Sequence, residues 1–507
     1  MPGGRLTPLD TTFLSLEDGT TAHMHIAGVC LFEGPAPAYS ELIAAVERRL
    51  HLVPRYRQRL NFAPFGLNHP EWIDDPFFTL DYHVRLTALP RPGSEDQLRK
   101  LAGRILSQRL DRERPLWEMW LVERIEGDRW ALISKTHHAL VDGISGVDIA
   151  TVLFDLERTP ADHGARPRPW HAEPWPSAAG SAVRAVVDRV SSQAQAGRAA
   201  VELIRRPDDL RAAIANAAGA VLSSVRPGPP SIYNVHIGPH RRFTWVRSSL
   251  AEVKAIKNAL GGTVNDVVLA AVTGALGRHM RRRGERVSGV ELVAMVPVSV
   301  RAEIERGALG NRVSSYFAPL AVGVTDPVKR LRRVSGAMRG LKESGNAVGA
   351  EILTQLGGLA PATIIAQASR LVAGSRVFNL TITNVPGPQL PLYMAGRQLL
   401  DVFPMVPLAP DHALGIAIIS YNGTLDFGLV GDYDAMADVE DLAGDLAESL
   451  EELALAAGVH GGDAATSRRG RRRAAASTAN GSGDGARGNG RTRAAGGARR
   501  GAGRGAG

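Results

Sequence analysis

Two rhythms of apolar and polar residues run along this chain. A repeat of two marks a strand, and a repeat near 3.6 marks a helix. Residues 26–32, 119–125, 129–136 and 292–298 are apolar-rich runs of strand length, and Trp72-Ile73 and residues 80–84 fit the same reading. Glu126-Gly127-Asp128 predicts a hairpin turn between the second and third of these runs. Asn422-Gly423 predicts another, between Leu414–Tyr421 and residues 424–430. Helical spacing occurs over residues 40–50, and again where Val439, Leu442, Leu446, Leu450 and Leu453 line one face. Ile149, Val152, Leu153 and Leu156 form a third such face. Strands alternate with helices, which predicts an α/β architecture.

Breakers divide the pattern into four parts. Residues 1–160 form a first α/β unit. Pro160, Pro167, Pro169, Pro174 and Pro176 mark an extended linker. The Ala-, Val- and Arg-rich stretch 177–224 predicts a helix with Val183, Val186, Val187 and Val190 along one side. That stripe suits packing on the body or lying on a lipid surface. Pro227-Gly228-Pro229-Pro230 ends the 161–230 segment, and a second α/β unit spans 231–460. Residues 461–507 are Gly, Ala, Ser and Arg with almost no large apolar side chain, which predicts disorder.

The net charge of +9 changes meaning once it is located. Residues 461–507 hold eleven arginines and two aspartates, so the tail carries the whole excess and residues 1–460 balance to zero. A neutral body gives no basis for nucleic-acid binding there. The tail's arginines suit anionic lipid headgroups or nucleic acid, or they form only a solvated extension. The single cysteine, Cys30, leaves no disulfide framework within the chain and no thiolate zinc site, and its apolar run makes it a buried thiol rather than a nucleophile. Residues 1–10 lack the basic and apolar regions of a secretory signal, and no window of 18 uninterrupted apolar residues occurs. The expectation is a cytoplasmic protein, neither secreted nor spanning, whose contact with a membrane is peripheral.

Candidate chemistry concentrates where the 129–136 strand ends. His137-His138-Ala139-Leu140-Val141-Asp142-Gly143 puts two imidazoles, a carboxylate and a glycine at the passage from a strand into a helix. Imidazole has an unperturbed pKa of about 6.5, so it takes and returns protons near neutrality. Adjacent residues leave a strand on opposite faces, so only one histidine can face a given reacting atom. The other packs or hydrogen-bonds the loop. Asp142 either orients the base or pairs with an arginine to hold the loop in shape. Gly143 permits a backbone angle that a side chain forbids.

This motif resembles that of the bacterial wax ester synthase/diacylglycerol acyltransferase family, and further blocks carry the resemblance in order. Leu6-Thr7-Pro8-Leu9-Asp10 with Phe13-Leu14 is similar to the family's start, and Asp111-Arg112-Glu113-Arg114-Pro115-Leu116-Trp117-Glu118 to its Pro-Leu-Trp block. Thr263-Val264-Asn265-Asp266-Val267-Val268-Leu269-Ala270 resembles its Asn-Asp block. Pro297-Val298-Ser299-Val300-Arg301, Gly310-Asn311-Arg312 and Thr383-Asn384-Val385-Pro386-Gly387-Pro388 resemble its second-half blocks. The segment before the second half departs, reading Ser231-Ile232-Tyr233-Asn234 where the family commonly carries a Leu-Asn pair.

The resemblance implies a chloramphenicol-acetyltransferase-like fold, two related α/β halves with a tunnel at their interface. It implies transfer of a long-chain acyl group from acyl-CoA, a co-substrate rather than a bound cofactor, to diacylglycerol or a fatty alcohol, at a membrane or lipid-droplet surface. It selects His138 as the general base, with His137 in support and no acyl-enzyme; no Gly-x-Ser-x-Gly elbow is present. The oxyanion needs a donor, and Asn265 is the candidate. Thr263 and Asp266 have capping-box spacing, which puts Asn265 in a first helical turn where backbone dipoles favour negative charge. The alternative is that Asn265 merely caps the helix; Asp266 reads as a cap. Pro115-Leu116-Trp117 shapes the wall, with Trp117 as core anchor or ligand contact. Asn384 borders the acyl tunnel or belongs to a tight turn. Two other classes compete. One is a lipid-binding module with a vestigial motif. The other is a condensation enzyme served by a carrier protein, although Leu260-Gly261-Gly262-Thr263-Val264 and Leu356-Gly357-Gly358-Leu359-Ala360 both lack the serine of a phosphopantetheine site.

Overall fold

The computed structural model describes residues 4, 6, 8–62, 70–141, 152–159, 170–174, 228–299, 313–343, 348–349 and 377–459. Asp142, Gly143, Arg301, Asn311, the 177–224 stretch and the 461–507 tail lie outside them.

In the first half, α1 (Pro8–Glu17) leads into β1 (His25–Glu33), and α2 (Tyr39–Arg49) into the small hairpin β2 (Gln58–Asn61) and β3 (Glu71–Asp74). Then come α3 (Leu80–His83), β4 (Val84–Ala88), α4 (Glu95–Ser107), β5 (Trp117–Ile125), β6 (Arg129–His137) and the one-turn helix α5 (His138–Val141). Two expectations need correction. Residues 80–83 are a helical turn, and the strand begins only at Val84. The turn carries the His83 ring onto Trp117, where it stacks at 4.6 Å and bonds the Trp117 carbonyl at 2.8 Å. Leu156 does not share a buried face with Leu153; it sits in a bend and is 69 % exposed.

The second half contributes β7 (Arg241–Ser249), α6 (Leu250–Leu260), α7 (Val264–Arg282), β8 (Glu291–Ser299), β9 (Val313–Ala321) and α8 (Pro327–Glu343). It continues through β10 (Val348–Gly349), β11 (Leu380–Pro386), β12 (Tyr393–Met394), β13 (Arg397–Met405), β14 (Leu414–Tyr421), β15 (Thr424–Asp432) and α9 (Val439–Ala456). The β14–β15 hairpin forms where the sequence predicts it. Asn422 and Gly423 both take positive φ, 41° and 88°, the geometry a two-residue hairpin needs.

Among the described residues the strands make a six-stranded sheet, β12-β13-β1-β6-β5-β4, and a seven-stranded sheet, β10-β9-β8-β11-β14-β15-β7. The halves interlock. β13 belongs to the second half by sequence, yet it pairs antiparallel with β1 in the first sheet, Val29 opposite Phe403 and Cys30 opposite Val402. It also runs against β15, so closely that a Cβ on Gly428 would stand 1.8 Å from the Pro404 carbonyl oxygen. α4 lies on β7 in the same way. A Cβ on Gly103 would stand 2.9 Å from the Arg241 carbonyl oxygen, and Arg247 grips Glu95 with two bonds of 2.9 Å. One apolar core runs through both sheets, from Val29, Leu31 and Ile133 to Phe403, Phe427 and Leu446.

Among the described residues no single helix is long and apolar enough to cross a membrane. α6 and α7 reach that composition only as a pair bent by 96°. The apolar surface of α7 is spent on the core, against α8 and α9.

Candidate active site

β1 and β6 pair so that His25 stands opposite His137, and β6 ends there. His138 opens α5. Its N–H donates to the Met24 carbonyl at 2.8 Å, and the next N–H, of Ala139, donates to His137 Nδ1 at 3.1 Å. That bond decides the state of the first imidazole. Nδ1 must hold a lone pair, so Nε2 carries the proton. Nε2 faces Glu17 Oε1 at 3.3 Å. His137 is buried to 1 % exposure, with one ring nitrogen occupied by the backbone and the other against a carboxylate. His138 points elsewhere. It is half-buried, and its ring lies 4.2 Å from that of Phe13. The strand ends at His137 and His138 opens the helix, so the two rings enter different environments, though not by alternation along one strand.

Glu17 ends α1 and is buried. Its Oε1 accepts the Met24 N–H at 2.6 Å, and its Oε2 accepts Arg112 Nη2 at 3.0 Å. His25 Nε2 lies 3.5 Å from Oε1. Burial works to raise the carboxyl's pKa, but the contact with His137 and the Met24 bond outweigh it and hold the group well below the usual carboxylate range. Around it, burial depresses His25 far below its ordinary value, and burial with the nearby Arg241 charge pushes His23 down to about 4. Burial thus favours the neutral form of both rings.

A second cluster forms at the start of α7. Thr263 Oγ1 accepts the Asp266 N–H at 3.2 Å, and Asp266 Oδ2 accepts the Thr263 N–H at 2.8 Å. The capping box is therefore made by Thr263 and Asp266, and Asn265 is not the cap. The Asn265 side chain turns instead to β11, where its Oδ1 accepts from Asn384 Nδ2 at 3.3 Å. With that oxygen occupied, the Asn265 amide N–H pair points away from Asn384 as a donor. Both side chains are half-buried.

Leu116 and Trp117 belong to the core beneath β5. The Trp117 indole donates to the Tyr56 carbonyl at 2.8 Å, which makes this residue an anchor. Pro115 and Trp117 also border a pocket of about 270 Å³ with Tyr82, Arg85, Arg109 and Glu118. Its lining is charged, which does not suit an acyl chain. Asp142 and Gly143 lie outside the described residues.

Glu17 and Arg112 were not among the candidates drawn from the sequence. A glutamate followed by Asp18-Gly19 has the look of a solvated helix end. The available signal was Phe13, one helical turn earlier, which shares the face of Glu17.

Comparison with known proteins follows this geometry. A wax ester synthase/diacylglycerol acyltransferase catalytic domain model matches residues 6–268, and the corresponding C-terminal domain model matches residues 309–454. A probable diacylglycerol O-acyltransferase of Mycobacterium tuberculosis, tgs1, is 34% identical over 461 residues, covering 88% of this chain and 94% of the relative. A second from the same organism, tgs2, is 34% identical over 464 residues, covering 90% and 99%. The solved wax ester synthase/diacylglycerol acyltransferase from Marinobacter aquaeolei VT8 is 27% identical with a TM-score of 0.65, over 90% of this chain and 99% of that one. The first condensation domain of the CDA synthetase, at 16% identity and a TM-score of 0.53, shares the fold alone, over 90% of this chain and 96% of that one. The fold is the chloramphenicol-acetyltransferase-like one.

Proposed function

The chain belongs to the wax ester synthase/diacylglycerol acyltransferase family, and from that premise we propose that it moves a long-chain acyl group from acyl-CoA to the hydroxyl of diacylglycerol, giving triacylglycerol. The choice of diacylglycerol rests on the relatives at 34% identity that carry that activity in their names. The solved relative is named for wax ester synthesis as well, so long-chain alcohols are the second acceptor class.

One observation carries the assignment of the base. His137 Nδ1 is taken by the Ala139 N–H, so His137 has no lone pair to offer a substrate, while the neighbouring His138 ring is half-buried at a strand end. His138 removes the acceptor's proton as its oxygen attacks the thioester carbonyl. The tetrahedral oxyanion then expels the CoA thiolate, and protonated His138 returns its proton to sulfur. Donors placed where the charge develops, and not on the ground state, lower this barrier. Asn265 supplies its amide N–H, held by Asn384, at the positive end of α7. His137 and Asp266 have supporting parts, one in the loop and one in the cap. The thiol of Cys30 is buried, which supports direct transfer without an acyl-enzyme.

The test offers equal diacylglycerol and hexadecanol with labelled palmitoyl-CoA. Labelled triacylglycerol in excess is the expected product. Wax ester alone overturns the acceptor assignment, and no ester with either acceptor favours a binding module.

A further inference from the structure

Glu17 of α1 reaches the strand-to-helix passage that carries His138. Resting on the reading of His138 as the base, we propose that Glu17 is a positioning residue for acyl transfer, fixing the backbone of His138 and Ala139 by two separate routes. The first route runs through Met24, just before β1. Glu17 Oε1 accepts the Met24 N–H at 2.6 Å, and the Met24 carbonyl accepts the His138 N–H at 2.8 Å. The second runs through the imidazole. Glu17 Oε1 faces His137 Nε2 at 3.3 Å, and His137 Nδ1 accepts the Ala139 N–H at 3.1 Å. A carboxylate 3.3 Å from Nε2 favours the tautomer with its proton there, the same one that the Ala139 N–H bond to Nδ1 requires. The same carboxylate thus governs both amides of the strand-to-helix passage.

Glu17 is itself held. Arg112 binds its Oε2 at 3.0 Å, and also Asp18 at 2.7 Å and the Leu14 carbonyl at 2.9 Å. α1 therefore touches each histidine in turn. Glu17 meets His137, and Phe13, four residues earlier on the same face, meets the His138 ring at 4.2 Å. The charged and titratable groups around the carboxylate are Arg112, His137, His25, His23, Lys135 and Asp18.

The chemistry requires an acceptor-only group. Met24 and Arg112 donate N–H bonds to it, His137 Nε2 lies 3.3 Å from its Oε1, and a carboxylate faces all three with acceptor oxygens only. Glutamine has the same shape but one acceptor oxygen, so its NH₂ must face a donor. A displacement of about 1 Å at a reacting group costs on the order of a hundredfold in rate.

The experiment measures acyl transfer from palmitoyl-CoA to diacylglycerol in full-length Glu17→Gln and Glu17→Asp proteins, beside His138→Ala. Glu17→Gln is expected to lower kcat about 10- to 100-fold, with the KM for palmitoyl-CoA unchanged and the thermal midpoint little moved. Glu17→Asp, still an acceptor-only group, should keep more of kcat than the glutamine variant. An unchanged kcat in Glu17→Gln overturns the proposal. So does a loss of kcat, KM and thermal midpoint together with aspartate no better than glutamine, the pattern of a purely structural residue. Should the glutamine variant not fold, Glu17→Asp carries the test alone: kcat lowered at constant KM supports the proposal, and unchanged kcat overturns it. Wild-type turnover in His138→Ala would remove the base assignment itself. Lost turnover there with Glu17→Gln unaffected removes only the present proposal.

Discussion

His137 and His138 share a residue type and a peptide bond, and the fold gives them different surroundings. The sequence made it legible that the two rings would face different ways, although the change from strand to helix, and not alternation along a strand, separates them. Their contacts were not legible from spacing, because His137 Nδ1 takes the Ala139 N–H and its Nε2 faces a helix 120 residues earlier. Asn265 shows the same limit. Its place in the first turn of α7 followed from Thr263 and Asp266, but its partner Asn384 comes from another sheet strand. If Asn265 donates to the oxyanion, Asn265→Ala should lower kcat about 100- to 1000-fold with little change in the KM for palmitoyl-CoA. Asn384→Ala, which only frees the Asn265 oxygen, should cost less. Equal losses in steady-state kinetics would assign the donor role to the pair rather than to Asn265.

Elements were readable where the signal was local. The turn Asn422-Gly423 and the apolar spacing of Val439 to Leu453 needed no distant partner, and both elements formed as expected. Residues 80–83 misled because Leu80, Tyr82 and Val84 alternate, while the stacking of His83 on Trp117 fixes a helical turn. β13 was illegible as a member of the first sheet, since its partner β1 lies more than 350 residues away. The β13–β15 contact makes a prediction of its own. Asp426 on β15 is fully buried, and burial together with Asp401 raises its carboxyl to about 7. The folded state therefore holds this proton more tightly than the unfolded chain, whose carboxyl titrates at about 3.9. Stability from this group is present below that value and is lost as pH rises towards 7. Asp426→Asn should raise stability by on the order of 2 kcal/mol at pH 8 and by little at pH 4. Urea unfolding at both pH values checks this, and an equal gain at the two would contradict it. At the start of α7, Thr263→Ala should cost about 1 kcal/mol in the same measurement.

For the whole molecule, the ordered family blocks made the fold class legible, while the interlock of the halves was not. No local pattern announces that β13 crosses to the other sheet or that Arg247 reaches Glu95. The molecule also buries histidines throughout. Burial pushes His23 and His83 down to about 4, and depresses His25, His279 and His412 as well. Between about pH 6.5 and pH 4 the unfolded chain binds protons that these folded imidazoles refuse, so stability falls as pH drops through that window. Asp426, Asp445 and Glu252, whose carboxyls burial raises, oppose the trend, but the five imidazoles outnumber them. The thermal midpoint should be several degrees lower at pH 5 than at pH 7, and a midpoint equal or higher at pH 5 would contradict the account.

If the His138 imidazole activates the acceptor hydroxyl, the turnover of His138→Ala with palmitoyl-CoA and diacylglycerol will show it. The expected kcat is lower by about a hundred- to ten-thousand-fold in a protein whose circular dichroism and thermal midpoint match the wild type. Wild-type turnover in that folded variant would contradict it.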